Sequence, residues 1–259
     1  MTAALRPLDD ELRRWADAGR IARLWLRDDD AVAASPALDD LLATLRRHRA
    51  PVLIAAIPAR LEASLAPRLS GLCDVAVGVH GHAHVNHAAA GVKKSEYPAG
   101  RDRSTVRDEL ARGLADIRNA FGDVALPVFV PPWNRAYAGI ARDLVASGYR
   151  ALSTFADAHV GDDGEDIIVA NAHIDVMFSP GARGGRRPDI VAGEVATMLA
   201  CARTRTGRDH PVGILTHHLV HDADARETLD TLLGHLANHA AVRFLHPREV
   251  IAAADSASR

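Results

Sequence analysis

Short apolar runs recur along the chain at 23–27, 52–57, 75–79, 127–130, 149–154, 167–170, 212–216 and 242–245. They are continuous rather than alternating with polar residues, the pattern of strands buried on both faces. Between them lie helix-patterned stretches at 36–48, 105–121, 136–147, 190–204 and 223–240. Ser35 before Pro36 fits an N-cap followed by a first-turn proline. Gly122 and Gly148 stand where helix C-termini need a left-handed residue. Strand and helix in steady alternation predict an α/β fold with parallel strands. No glycine-rich phosphate fingerprint follows the first run, so a (β/α) barrel of about seven strands is expected over an open nucleotide-binding sheet. With no internal repeat or linker, residues 1–259 read as a single domain. Two stretches, 88–103 and 171–189, break the rhythm as long loops, which in compact domains are usually functional.

Composition narrows the function. The 259 residues are 48% hydrophobic and 25% charged, as in ordinary folded proteins, with a formal net charge of −2. Near-neutral charge and only 4% aromatics argue against a nucleic-acid partner. Cys73 and Cys201 are too far apart in sequence to suggest a thiolate metal pair or a disulfide framework. Asp9, Asp10 and Glu11 interrupt what a signal peptide would need, and no 18-residue apolar run occurs, so a soluble cytoplasmic protein without a membrane partner is expected.

The polar residues of interest follow the apolar runs. Asp28-Asp29-Asp30 comes after the first, and His80, His82, His84 and His87 cluster after the third. Pro131-Pro132-Trp133-Asn134-Arg135 follows the fourth, His173 and Asp175 follow the sixth, and the seventh ends in His217-His218. In (β/α) folds this is the end where active sites are built. An aspartate triplet can be a solvated turn, but here it leaves the apolar segment LWLR, where like charges need a cation or a shared proton. His80 and His84 would share one face if their segment turned helically. Imidazoles plus a carboxylate, with one position left for water, make a catalytic zinc-type ligand set. His217 and His218 taken alone could equally be core or surface residues.

This order of motifs resembles the polysaccharide deacetylase family over roughly residues 23–220. The resemblance implies a distorted (β/α) barrel and a hydrolase that uses a divalent metal, of zinc type, to cleave an N-acetyl or related C–N bond. It implies a carbohydrate or small amide as substrate. It makes Asp29 the catalytic base and Asp30, His80 and His84 the metal ligands; a register shifted by one would use Asp28 and Asp29 instead. Leu215-Thr216-His217 matches the motif that holds the acid histidine, His217. Trp133 matches the aromatic near the acetyl pocket, with Asn134 and Arg135 beside it as substrate contacts. His173 and Asp175 are candidates to orient the acid or touch substrate. The chain departs from the family pattern at Gly81, where Ser or Thr is usual, and at Val130, where an arginine usually steers the base; Arg27 and Arg135 are the candidate substitutes.

Two other readings compete. An amidohydrolase-type metallohydrolase would use His80-Gly81-His82 as an HxH pair, though that family places the pair on its first strand. A barrel that holds metal and carbohydrate without turnover would account for the missing arginine.

Overall fold

The apolar runs fold as strands and most of the periodic stretches as helices. The computed structural model describes residues 5–156, 167–179, 182–204 and 211–255. In chain order its elements are α1 (Arg6–Asp17), β1 (Ala22–Ala31), α2 (Pro36–Arg47), β2 (Val52–Ala56), α3 (Leu65–Leu69), β3 (Val75–His80) and α4 (Arg103–Phe121). Then come β4 (Ala125–Val130), α5 (Ile140–Ala146), β5 (Ala151–Leu152), β6 (Ile168–Val169), β7 (Ile174–Asp175), β8 (Phe178–Ser179) and β9 (Ala182–Arg183). The last are α6 (Pro188–Thr204), β10 (Val212–Thr216), α7 (Ala223–Ala237), β11 (Val242–Phe244) and α8 (Pro247–Asp255).

Every residue of β2, β3 and β10 is buried, as a continuous apolar run requires. In α2 the Ser35 hydroxyl accepts the Leu38 N–H at 3.1 Å and Pro36 fills the first turn. Its buried residues, Leu38, Leu41, Leu42 and Leu45, form an i, i+3, i+4, i+7 stripe. Asp102 caps α4 the same way, accepting the Thr105 N–H at 2.8 Å, and Val106, Leu110, Leu114, Ile117 and Phe121 make its buried face.

The described residues fall into two compact units. The first draws on Met1–Asp28, Ser35–Val52 and Ala172–Val250. Here β1 pairs in parallel with β10, Leu24 opposite Val212 through Asp28 opposite Thr216, and also with β11, while β10 pairs with β7. Helix α1 packs on α6, and α6 on α7; Arg203 Nε meets Glu11 Oε1 at 2.7 Å across the first of these contacts. The second unit draws on Asp29–Ala34, Leu53–Asn171 and the C-terminal segment. In it β3, β4, β5 and β6 pair in parallel in that order. Helix α4 packs on β3, β4 and α5. Phe129 sits edge-on to both Tyr97 and Tyr149, with centroids 5.5 and 5.4 Å away. The last residues of β1 also belong here, with Ala31 O accepting the Ile57 N–H at 3.0 Å.

Some expectations need correcting. The first strand runs on to Ala31, so the aspartate triplet lies inside it rather than in the turn beyond it. Stretch 171–189 is not bare loop, since it carries β7 and the antiparallel pair β8–β9. Helix α5 begins at Ile140, four residues later than its pattern suggests, because Gly139 before it adopts positive φ and a regular helix can start only beyond it. Gly122 and Gly148 do have positive φ, at 54° and 89°. Among the described residues no helix is long and apolar enough to cross a membrane.

Candidate metal centre

Asp30, at the end of β1, and His80, the last residue of β3, meet in the second unit. Asp30 Oδ1 lies 3.1 Å from His80 Nε2 and 3.2 Å from His84 Nε2. The three ligand atoms lie within 4.8 Å of one another, and this is the one such cluster of His, Cys, Asp and Glu among the described residues. Hydrogen bonding orients His80. Its partner across the sheet is Val130, whose carbonyl accepts the Gly81 N–H at 3.0 Å and lies 3.1 Å from His80 Nδ1. With the Nδ1 proton given to that carbonyl, Nε2 of neutral His80 carries a lone pair toward Asp30. A lone pair 3.1 Å from a carboxylate oxygen needs a cation or a proton between them. The cluster therefore fits a divalent ion, and two imidazoles with one carboxylate suit zinc and its first-row neighbours. With protons rather than an ion between these groups, burial opposes the charge on Asp30, but the hydrogen bonds and charges of protonated His80 and His84 outweigh it and hold the carboxyl well below the usual range.

Backbone strain gathers at the same place. Six described non-glycine residues have positive φ, and four of them are Asp30 (73°), His84 (58°), Trp133 (55°) and Asn134 (56°). Asp, His and Asn enter this region with modest penalty, whereas Trp does so rarely. Such conformations cost about 1–3 kcal/mol each and persist only where surrounding structure enforces them. The Trp133 ring lies 4.4 Å from the His84 ring, with Lys94 Nζ 5.9 Å from its centroid on the other contact. Asn134 N–H donates to Pro131 O at 2.9 Å, and Arg135 Nη1 donates to Lys94 O at 3.3 Å. His80 and His84 are joined by a non-helical loop, with positive φ at Gly81 and His84, so the helical turn anticipated for this pair is absent. It is His84, rather than His82, whose ring joins His80 at Asp30.

Asp29 is 2% exposed and sits beside Asp30 in the second unit. Asp28 belongs to the first. Its carboxylate accepts the His218 backbone N–H at 2.8 Å and meets His218 Nδ1 at 2.5 Å, with both side chains fully buried. Asp28 thus serves His218 while Asp30 faces the pair His80 and His84. His217, half-buried, precedes the short turn His218–Val220 and accepts the Val220 N–H at 3.0 Å through its carbonyl. His221 contacts the Thr216 hydroxyl, and burial first, then Asp28 against His218, Arg226 and His217, leaves its pKa below the ordinary histidine value. His173 Nδ1 accepts the Gly213 N–H at 2.9 Å, four residues before His217 along the chain. Asp175 pairs with Leu215 and accepts the Met177 N–H at 2.8 Å.

At the family's arginine position, Val130 takes part through its backbone carbonyl alone, and its side chain is wholly buried. Arg27 is likewise buried, within the first unit, and Arg135 points its guanidinium to the Lys94 carbonyl. Sequence reasoning missed His218 as the partner of Asp28 in the first unit and, in the second, Glu96, whose carboxylate accepts the His82 and Ala83 N–H groups. The length of the 88–103 loop was the signal for the latter.

No protein-family model matches the sequence, and no curated protein matches it. Solved structures do. A chain from Mycobacterium smegmatis assigned as a polysaccharide deacetylase is 16% identical, with TM-score 0.62 over 93% of this chain and 92% of its own. A family 4 acetyl xylan esterase from Clostridium thermocellum, in complex with a cobalt ion, is 14% identical, with TM-score 0.55 over 92% and 96%. A peptidoglycan deacetylase from Bacillus subtilis is 12% identical, with TM-score 0.56 over 92% and 94%. The chain has the α/β distorted-barrel fold of the polysaccharide deacetylases, as the order of its motifs implied.

Proposed function

We propose that this protein is a metal-dependent deacetylase that hydrolyses the N-acetyl C–N bond of a sugar or a related small amide. The observation that carries this reading is the convergence of Asp30, His80 and His84 on one point, with the His80 tautomer set by Val130 O. The relatives in fold are named for deacetylation or for deacylating xylan, and one holds cobalt. Asp30, His80 and His84 would hold the ion, zinc being the choice that their chemistry favours. Bound there, a divalent ion would act as a Lewis acid, easing ionisation of water and polarising an acyl carbonyl. Asp29, buried and next in sequence to the ligand carboxylate, accepts the proton of the attacking water. His217, assigned by the motif it occupies, gives a proton to the departing amine, a poor leaving group without one. Trp133, Asn134 and Arg135 form the turn that contacts the acyl group or sugar. Residues 1–259 act as one deacetylase-like domain in this reading.

The test is to measure bound metal and acetate release together, on N-acetylglucosamine oligomers and on small N-acetyl amides. Asp30→Asn should lose metal and activity together. Asp29→Asn should keep the metal and lose roughly 10²–10⁴-fold in turnover, the range for general-base catalysis. Metal bound normally by Asp30→Asn, or full turnover by Asp29→Asn, would defeat the assignment. Metal binding without acetate release from any amide would leave the non-catalytic barrel as the better account.

A further inference from the structure

The loop that carries His84 to His80 has almost no hydrogen bonds of a strand or helix to hold it. One tie is Ala59 N–H to His82 O at 2.9 Å. Its two central N–H groups, those of His82 and Ala83, both donate to a single carboxylate, as successive backbone N–H groups in a turn can do toward an anion. The anion is supplied by the chain itself. Glu96, 1% exposed, accepts the His82 N–H at 3.2 Å with Oε2 and the Ala83 N–H at 2.7 Å with Oε1. Charge-assisted bonds of this type are about twice as strong as neutral ones.

Glu96 is itself rigidly held. Its neighbour Ser95 accepts the His87 N–H at 2.9 Å, donates its own N–H to Asn86 Oδ1 at 3.0 Å, and donates its hydroxyl to Arg135 O at 3.1 Å. Tyr97 O accepts the Tyr137 N–H at 2.8 Å. Arg101 Nη1 donates to Glu96 O at 3.1 Å while its guanidinium grips Glu109 of α4 through two bonds of 2.8 and 2.7 Å. The same carboxylate accounts for Gly81. A Cβ at that position would stand 2.0 Å from Glu96 Oε2 and 2.5 Å from Pro132 Cγ, and φ there is already +63°. Where the family usually has a hydroxyl side chain, this chain has a buried carboxylate brought in by the long 88–103 loop.

We infer that Glu96 is a positioning residue for the metal centre: by clamping the His82 and Ala83 N–H groups it fixes the loop that presents His84 beside His80. The inference rests on the metal-site reading above, and the experiment separates the two. The probe is Co(II), followed by its affinity and by its visible ligand-field bands, which report the ligand geometry without any turnover. Glu96→Gln preserves size but sets an amide NH₂ against one of the two N–H donors. It should weaken Co(II) binding roughly 10–100-fold, the usual effect of removing an outer-shell partner, and alter the bands. Glu96→Asp, which keeps the charge on a shorter arm, should fall between that variant and wild type, and decides the matter if Glu96→Gln does not fold. Leu110→Ala, a buried change on α4, should lower stability yet leave affinity and bands at wild-type values. A folded Glu96→Gln or Glu96→Asp with wild-type affinity and bands would overturn the inference, as would Leu110→Ala shifting the bands equally. If His84→Ala also fails to weaken Co(II) binding, the metal reading itself falls; if His84→Ala loses the ion and Glu96→Gln does not, only the role of Glu96 falls.

Discussion

Replacing Asp28 separates the three aspartates that sequence order leaves interchangeable. The Asp28 and His218 side chains have no exposure, and the carboxylate makes two contacts, at 2.8 Å to the backbone N–H and 2.5 Å to Nδ1. In Asp28→Asn the amide oxygen still accepts the N–H, but an NH₂ group faces Nδ1. The loss is about one hydrogen bond to a charged group, roughly 1.5–3 kcal/mol. Asp28→Ala removes both bonds to the buried His218, and deleting one partner of a buried pair costs about 3–5 kcal/mol. In a chain of this size 1 kcal/mol moves the melting temperature by about 2–4 °C. The Asn variant should therefore melt about 3–12 °C below wild type, and the Ala variant about 6–20 °C below. Both should bind metal fully, because Asp28 does not belong to the Asp30–His80–His84 cluster. Calorimetry paired with elemental analysis reads both quantities. An Asp28→Asn protein that melts normally and has lost its metal would mean that the register is shifted and the buried-pair argument is wrong.

Two further substitutions bear on the same unit. Gly81→Ala places a Cβ against Glu96 and Pro132 at positive φ; the left-handed penalty of about 1–2 kcal/mol and overpacking of about 1–3 kcal/mol should together weaken folding and metal retention, and a variant with wild-type melting and metal content would contradict this packing. Asp143, fully buried, accepts from Arg107 Nε at 2.7 Å, Arg103 Nη2 at 2.6 Å and the Tyr137 hydroxyl. Burial opposes its charge, but these hydrogen bonds outweigh that and lower its pKa. Its stabilisation is thus full above the ordinary carboxylate range and lost as pH falls through the lowered value. Asp143→Asn should cost about 1.5–3 kcal/mol at pH 7 and flatten the decline of stability in acid; urea titrations at pH 7 and pH 3 that show equal losses would refute it.

The continuous apolar runs and the periodic leucines of α2 were legible because strand and helix periods write burial directly into residue order. Val52–Ala56, Val75–His80 and Val212–Thr216 fold where such runs must. The alternation implied the fold class, and histidines and aspartates placed after apolar runs pointed to one end of the strands. Shorter and less patterned elements were not legible: α1 and β7 owe their place to α6 and β10, partners distant in sequence, and β8 and β9, which pair with each other, are only two residues each and too brief to carry a period. Residue order also could not say which aspartate meets the histidines, since three identical neighbours carry no distinguishing signal. Tertiary structure decided it, through a left-handed Asp30 at the end of β1 and a buried His218 that engages Asp28. It alone revealed Glu96, fourteen positions from the N–H it clamps. Periodicity reports which residues are buried, whereas a metal ligand's orientation depends on hydrogen bonds from residues that no local pattern connects.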